Sequence, residues 1–151
     1  KHKRWPSSKY SSLINKFNNQ QDVTFVLLGI SEEISICDAI LDGVNNSANV
    51  ISLSGLCSID ETIAVISKCS FFISGDSGLM HFAAALKIKT YTIFGPTSHV
   101  GSAPSWNNGT IITQSLPCSP CYPRLPQGCG KPICMSNLNS SIVFESIVNV
   151  K

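Results

Sequence analysis

Apolar positions along this chain follow two alternating patterns. Tyr10, Leu13, Ile14 and Phe17 recur at spacings of three and four, which predicts an amphipathic helix over residues 8–19. Val23-Thr24-Phe25-Val26-Leu27-Leu28 is instead a nearly unbroken apolar run closed by Gly29, the pattern of a strand covered on both faces. Ser31-Glu32-Glu33 opens a second helix to about residue 41, with Ser31 placed to cap it and two acids in its first turn. A short strand follows at 49–53. Ser58-Ile59-Asp60-Glu61 is a capping box, Ser with Glu three residues on, and predicts a helix to about residue 68. Further strands are expected at 71–73, at 90–94 and at 110–113. Between the first two of these, Ser74-Gly75-Asp76-Ser77-Gly78 leads into a helix through residue 86. Residues 115–139 have no periodicity, and 140–150 close with an amphipathic helix.

Five strands alternating with helices predict an α/β fold, a Rossmann-like doubly wound parallel sheet. In such sheets ligands sit at the carboxyl ends of the strands, in the loops that enter helices. The first element is a helix, so the strand that normally begins the unit is expected to be missing just before Lys1. The expectation is a single domain over 1–151 with a Cys-rich loop at 115–139.

Composition narrows the function classes. Charged residues make up 13% of the 151, against about 25% in ordinary domains. That shortage suggests a face that docks on another domain or a membrane. A net charge of +2 is too mild for general nucleic-acid binding, so no nucleic-acid partner is expected. No apolar run approaches the ~20 residues of a membrane span. Seven Cys without a secretory pattern point to a reducing compartment.

The sharpest chemical feature is Ser74-Gly75-Asp76-Ser77-Gly78-Leu79-Met80-His81. A strand stops, two Gly let a ligand approach the backbone, and a helix begins with Asp76 or Ser77 as its cap. Free N–H groups and the positive end of the helix dipole suit a phosphate there. His81, one turn in, is within reach of the same ligand. The plain alternative is a capped strand–turn–helix with a satisfied helix histidine. The nucleophile elbow is Gly-x-Ser-x-Gly, whereas here Ser77 directly precedes the second Gly, which argues against a serine hydrolase. The Gly-x-Gly-x-x-Gly fingerprint is absent as well, which argues against an NAD enzyme.

Several segments, taken in order, resemble the C-terminal half of glycosyltransferase family 9, the heptosyltransferases of lipopolysaccharide core assembly and their relatives. They are Lys3-Arg4-Trp5-Pro6, Leu53-Ser54-Gly55, Ser58-Ile59-Asp60-Glu61, Phe72 through Leu86, Phe94-Gly95-Pro96-Thr97, Pro117-Cys118-Ser119-Pro120-Cys121-Tyr122 and Cys134-Met135. The resemblance implies the GT-B architecture, two Rossmann-like domains facing a cleft. The C-terminal one binds a nucleotide-diphosphate sugar; the N-terminal one holds the acceptor and the catalytic base. It implies inverting transfer without a metal. By resemblance Lys3 lies at the donor phosphates and stabilises charge on the departing diphosphate. The backbone of Asp76, Ser77 and Gly78 cradles the pyrophosphate, and His81 lines that pocket. Glu32 or Glu33 holds the ribose hydroxyls, with Glu33 preferred, and Leu56-Cys57 lies against the base. The competing readings are a solvated terminal charge for Lys3, dipole complementation for the two Glu, and packing for Trp5.

Cys118-x2-Cys121-x7-Cys129-x4-Cys134 has a spacing that can hold tetrahedral zinc. The family has a similar loop without a catalytic metal, so no cofactor is expected and free thiols are favoured; Cys37 and Cys69 read as small core residues. The expected function is donor binding, with ADP-heptose as the donor, in an inverting glycosyltransferase of lipopolysaccharide core or related glycan assembly. Its acceptor is a lipid-linked oligosaccharide reached through the N-terminal domain, and its location is cytoplasmic, at the inner face of the inner membrane. The isolated chain is expected to be inactive. The alternatives are a zinc-binding interaction module using the Cys118–Cys134 loop and a non-catalytic nucleotide-binding domain.

Overall fold

The computed structural model describes residues 2–104, 109–122 and 132–149. Within them the elements run α1 (Ser7–Asn18), β1 (Phe25–Leu27), α2 (Ile34–Leu41), β2 (Val50–Ser52), α3 (Ile59–Ile66), β3 (Phe71–Gly75), α4 (Gly78–Ala85), β4 (Lys89–Phe94), α5 (His99–Ser102), β5 (Gly109–Thr113), α6 (Ile133–Ser136) and α7 (Ser140–Val148). All five expected strands form, and every pairing between them is parallel. The fold is α/β. The chain divides into two compact units, Lys1–Trp5 with Ile63–Leu138, and Pro6–Thr62 with Asn139–Lys151.

The first unit is built on a three-stranded sheet in the order β3-β4-β5. The middle strand carries the core: Thr90, Tyr91, Thr92, Ile93 and Phe94 are all buried. Alternating β-branched and aromatic residues fill both faces of a strand that has neighbours on either side. α4 packs on β3 and β4 through Met80, Ala83 and Ala84, whose small or flexible side chains let the helix axis lie close to the sheet. Trp5 is 2% exposed, and its Nε1 donates to the Leu138 carbonyl at 3.1 Å. It is a packing residue.

The second unit pairs β1 with β2 and packs α1 against α2 and α7. The predicted face of α1 is the observed one: Leu13, Ile14 and Phe17 are buried. Phe17 meets Phe25 and Phe144 edge-on at 5.4 and 4.7 Å. Two local expectations change. β1 is half-buried rather than covered on both faces, because β2 is its one strand partner among the described residues. Ser31 does not cap α2: Ser31–Glu33 form a 3-10 turn with Ile30 at its cap position, Glu33 holds the cap position of α2, and no side chain caps either. The Ser58 box forms as predicted. The Glu61 carboxylate accepts from the Ser58 N–H at 2.8 Å, and the Ser58 hydroxyl accepts from the Glu61 N–H at 3.3 Å. α7 is capped by Asn139, which accepts from the Ser141 N–H at 3.0 Å. No helix among the described residues is long and apolar enough to cross a membrane.

Candidate functional site

In the first unit, β3 ends at Gly75 and the chain turns through Asp76 and Ser77 into α4. Ser77 holds the cap position with extended backbone, but its side chain makes no cap hydrogen bond. The Asp76 carboxylate pairs with Lys3, Oδ2 to Nζ at 2.9 Å. The leading N–H groups of α4 are therefore left without a side-chain cap, the condition in which a helix start receives an anion. A Cβ on Gly78 would meet nothing within 4 Å, so the backbone there is open to approach.

Lys3 arrives from 73 residues earlier in the sequence, and Trp5, buried two residues later, anchors its segment. A Cβ on Gly75 would lie 3.4 Å from the Lys3 carbonyl, so the Lys3 backbone passes close over the end of β3. The ammonium also sits 4.9 Å from the ring centroid of Tyr122. The Asp76 side chain is 12% exposed and that of Lys3 is 43% exposed, so the cation faces outward. His81 lies one turn into α4 with its side chain exposed. Lys3, Asp76, Ser77, Gly78 and His81 thus share one unit, and the first two are in direct contact.

The turn after β4 borders the same strand ends. The Pro96 carbonyl accepts from the Cys121 and Tyr122 N–H groups at 2.9 and 2.8 Å, and the Ser119 hydroxyl donates to the Gly95 carbonyl. Among the described residues Thr97, 5% exposed, has a buried hydroxyl without a partner, and so does Ser74 on β3. Buried orphaned hydroxyls are rare and call for water or ligand. Tyr122, Thr97 and Ser74 lie within the quoted segments, but nothing in the sequence gives any of them an individual role. No local spacing could link Tyr122 to Lys3, which are joined only by the fold.

Glu33 and Leu56 belong to the second unit, on the loops that follow β1 and β2. The Gly55 N–H donates to the Gly29 carbonyl at 2.8 Å, which ties those loops together. Glu33 folds back on the end of β1: a Cβ on Gly29 would sit 3.2 Å from its Oε2. Glu32 is exposed. Leu56 is 74% exposed, directly after Gly55, whose φ of +71° suits glycine. Burial, with Glu33 adding a like-sign push, raises the Tyr10 phenol to about 12. Burial also raises the Cys37 and Cys69 thiols.

Cys118, Cys121 and Cys134 are free thiols, and Cys129 lies outside the described residues. Cys134 is buried against Gly95, whereas Cys118 is exposed. Among the described residues no three His, Cys, Asp or Glu side chains come together as a metal site. The zinc-module alternative has no support.

Comparison with known proteins decides the family. The model of glycosyltransferase family 9 (heptosyltransferase) matches residues 1–127. The chain belongs to glycosyltransferase family 9. It is 31% identical to lipooligosaccharide heptosyltransferase 2 of Campylobacter jejuni, over 98% of this chain and 46% of that protein. It is 29% identical to lipopolysaccharide heptosyltransferase 2 of Escherichia coli K12, over 73% of this chain and 32% of that protein. The chain thus spans about half the length, or less, of these curated relatives. The solved ADP-heptose heptosyltransferase II of E. coli superposes with a TM-score of 0.82 at 25% identity, covering 96% of this chain and 41% of that one. An E. coli heptosyltransferase solved with ADP has the same fold, with a TM-score of 0.75 at 21% identity over 97% of this chain and 40% of that one. The Rossmann-like part of a GT-B heptosyltransferase expected from the sequence is the fold observed.

Proposed function

We propose that this chain binds the nucleotide-diphosphate sugar of an inverting glycosyltransferase, with ADP-heptose as the donor. The observation that carries the reading is the Lys3–Asp76 pair, 2.9 Å long, beside an uncapped start of α4 whose Gly78 backbone is open. Family membership supports it, as do the names of the relatives and the ADP held by one solved neighbour. In this reading the diphosphate takes the N–H groups of Asp76, Ser77 and Gly78. Departure of the nucleotide leaves growing negative charge on the diphosphate. The Lys3 ammonium and the fixed N–H dipoles of α4 are oriented for that charge before it develops, which is where electrostatic catalysis gains most. His81 lines the same pocket. Glu33 is proposed for the ribose hydroxyls and Leu56 for the base, and Glu33→Ala and Leu56→Ala would each weaken nucleotide binding.

The acceptor is proposed to be a lipid-linked core oligosaccharide. The family pattern assigns it and the catalytic base to the N-terminal domain, at the inner face of the inner membrane. A ligand that binds only the folded state raises the unfolding midpoint. ADP should raise the midpoint of this chain, UDP and GDP at equal concentration should raise it less, and the ADP effect should shrink in Lys3→Ala. Equal shifts with all three nucleotides, or no shift, would remove the ADP-sugar reading.

A further inference from the structure

Lys3 has two neighbours of different chemistry: the Asp76 carboxylate at 2.9 Å and the Tyr122 ring at 4.9 Å from its centroid. A carboxylate holds an ammonium by cancelling its charge. A ring face holds it through the quadrupole and leaves the charge available. An incoming diphosphate competes with Asp76 for Lys3, but it does not compete with the ring.

We propose that Tyr122 is a positioning residue that keeps the Lys3 ammonium beside Asp76 while that ammonium serves an anionic diphosphate. The proposal rests on the donor reading above. Lys3 has a long stem of many rotamers and is 43% exposed, so a second anchor decides how much of the time its charge stays at the site. Tyr122 is itself held. Its N–H and that of Cys121 both donate to the Pro96 carbonyl, at 2.8 and 2.9 Å, and Ser119 donates to the Gly95 carbonyl. Gly95 in turn lies against Met135 and Cys134, which are 1% and 4% exposed. The backbone that carries the ring is thereby fastened to the turn after β4, the central strand of its sheet. The Pro-Cys-Ser-Pro-Cys-Tyr segment, read from sequence as a candidate metal loop, acts as the clamp that carries the ring.

The test is titration of the intact chain with ADP, comparing wild type, Tyr122→Phe, Tyr122→Leu, Lys3→Met and Lys3→Met/Tyr122→Leu. Cation–π contacts at partly exposed sites correspond to roughly two- to fivefold in affinity. Tyr122→Leu should weaken ADP by about that factor, Tyr122→Phe should restore wild-type affinity, and Tyr122→Leu should add nothing in the Lys3→Met background. The Lys3 ε-methylene proton resonances should be shifted upfield by the ring in wild type and Tyr122→Phe, and unshifted in Tyr122→Leu. Unchanged ADP affinity in Tyr122→Leu overturns the proposal. So does a loss that persists without Lys3, a failure of Phe to rescue, or a Lys3 shift that ignores the ring. If Tyr122→Leu does not fold, the Phe variant and the wild-type ring shift still decide. A wild-type chain that shows the ring shift but binds no ADP removes the donor reading and, with it, the diphosphate role; ADP binding weakened by Lys3→Met but not by Tyr122→Leu removes this proposal alone.

Discussion

Trp5 is where fold and candidate site meet, and replacing it tests both. The side chain is 2% exposed, and its indole N–H donates to the Leu138 carbonyl at 3.1 Å. Leu138 is itself fully buried, so no water stands ready to replace that donor. Trp5→Phe keeps an aromatic body but removes the N–H. Stranding a buried carbonyl costs about 1–3 kcal/mol. Trp5→Ala also empties the pocket, and truncating a buried Trp costs about 3–5 kcal/mol. For a chain of this size each kcal/mol lowers the melting midpoint by roughly 2–4 °C. Thermal unfolding followed by circular dichroism should therefore rank wild type above Trp5→Phe, and Trp5→Phe above Trp5→Ala. Because Trp5 fixes the segment that carries Lys3, Trp5→Ala should also weaken ADP binding at temperatures where the variant is still folded. A Trp5→Phe midpoint equal to wild type would refute the hydrogen-bond argument. Full ADP affinity in folded Trp5→Ala would refute the claim that Trp5 positions Lys3.

Other outcomes follow from the same geometry. In Gly95→Ala the new methyl would lie 2.9 Å from Met135 Cγ and 3.1 Å from Cys134 Sγ, both on buried side chains. Such overpacking should cost about 1–3 kcal/mol, read as a lower denaturant midpoint. The Tyr10 phenol is raised to about 12, so the folded chain resists ionising it. The stability this gives is present below the unfolded phenol value near 10 and is lost as pH climbs from there toward 12, and Tyr10→Phe should flatten that alkaline fall in unfolding titrations. Hydrogen bonds from the Ser58 N–H and hydroxyl hold the Glu61 carboxyl below its usual value. Its contribution is present above the unfolded carboxylate range and is lost as pH falls through the folded value. Ser58→Ala should reduce α3 protection in hydrogen exchange and blunt that acid dependence.

Much of this architecture is legible in the sequence, and the reasons are local. The apolar runs around Phe25 and Ile73 mark strands because sheet burial needs continuity. The three-and-four spacing of Leu13, Ile14 and Phe17 marks one helix face. The Ser58–Glu61 box marks a helix start because both of its bonds lie within four residues. Ser31 misled because its Ser-Glu-Glu signature also suits the 3-10 turn that precedes α2. The site was only partly legible. Lys3 and Asp76 lie in recognisable motifs, but their contact joins positions 73 residues apart and depends on Trp5 finding Leu138. Tyr122 sat in a segment whose cysteines suggested metal, and its place under Lys3 follows from backbone bonds to Pro96 that no periodicity encodes.

The most direct test of the central claim is calorimetric titration of the chain with ADP, beside UDP and GDP, in wild type and Lys3→Ala. A charge-assisted bond to phosphate is worth about 1.5–3 kcal/mol, so Lys3→Ala should weaken ADP by roughly 10- to 100-fold. Saturable ADP binding with that loss, and weaker binding of UDP and GDP, is the predicted result. A folded wild-type chain that takes up no ADP, or a Lys3→Ala variant that binds it equally well, would contradict a phosphate site at Lys3 and the start of α4.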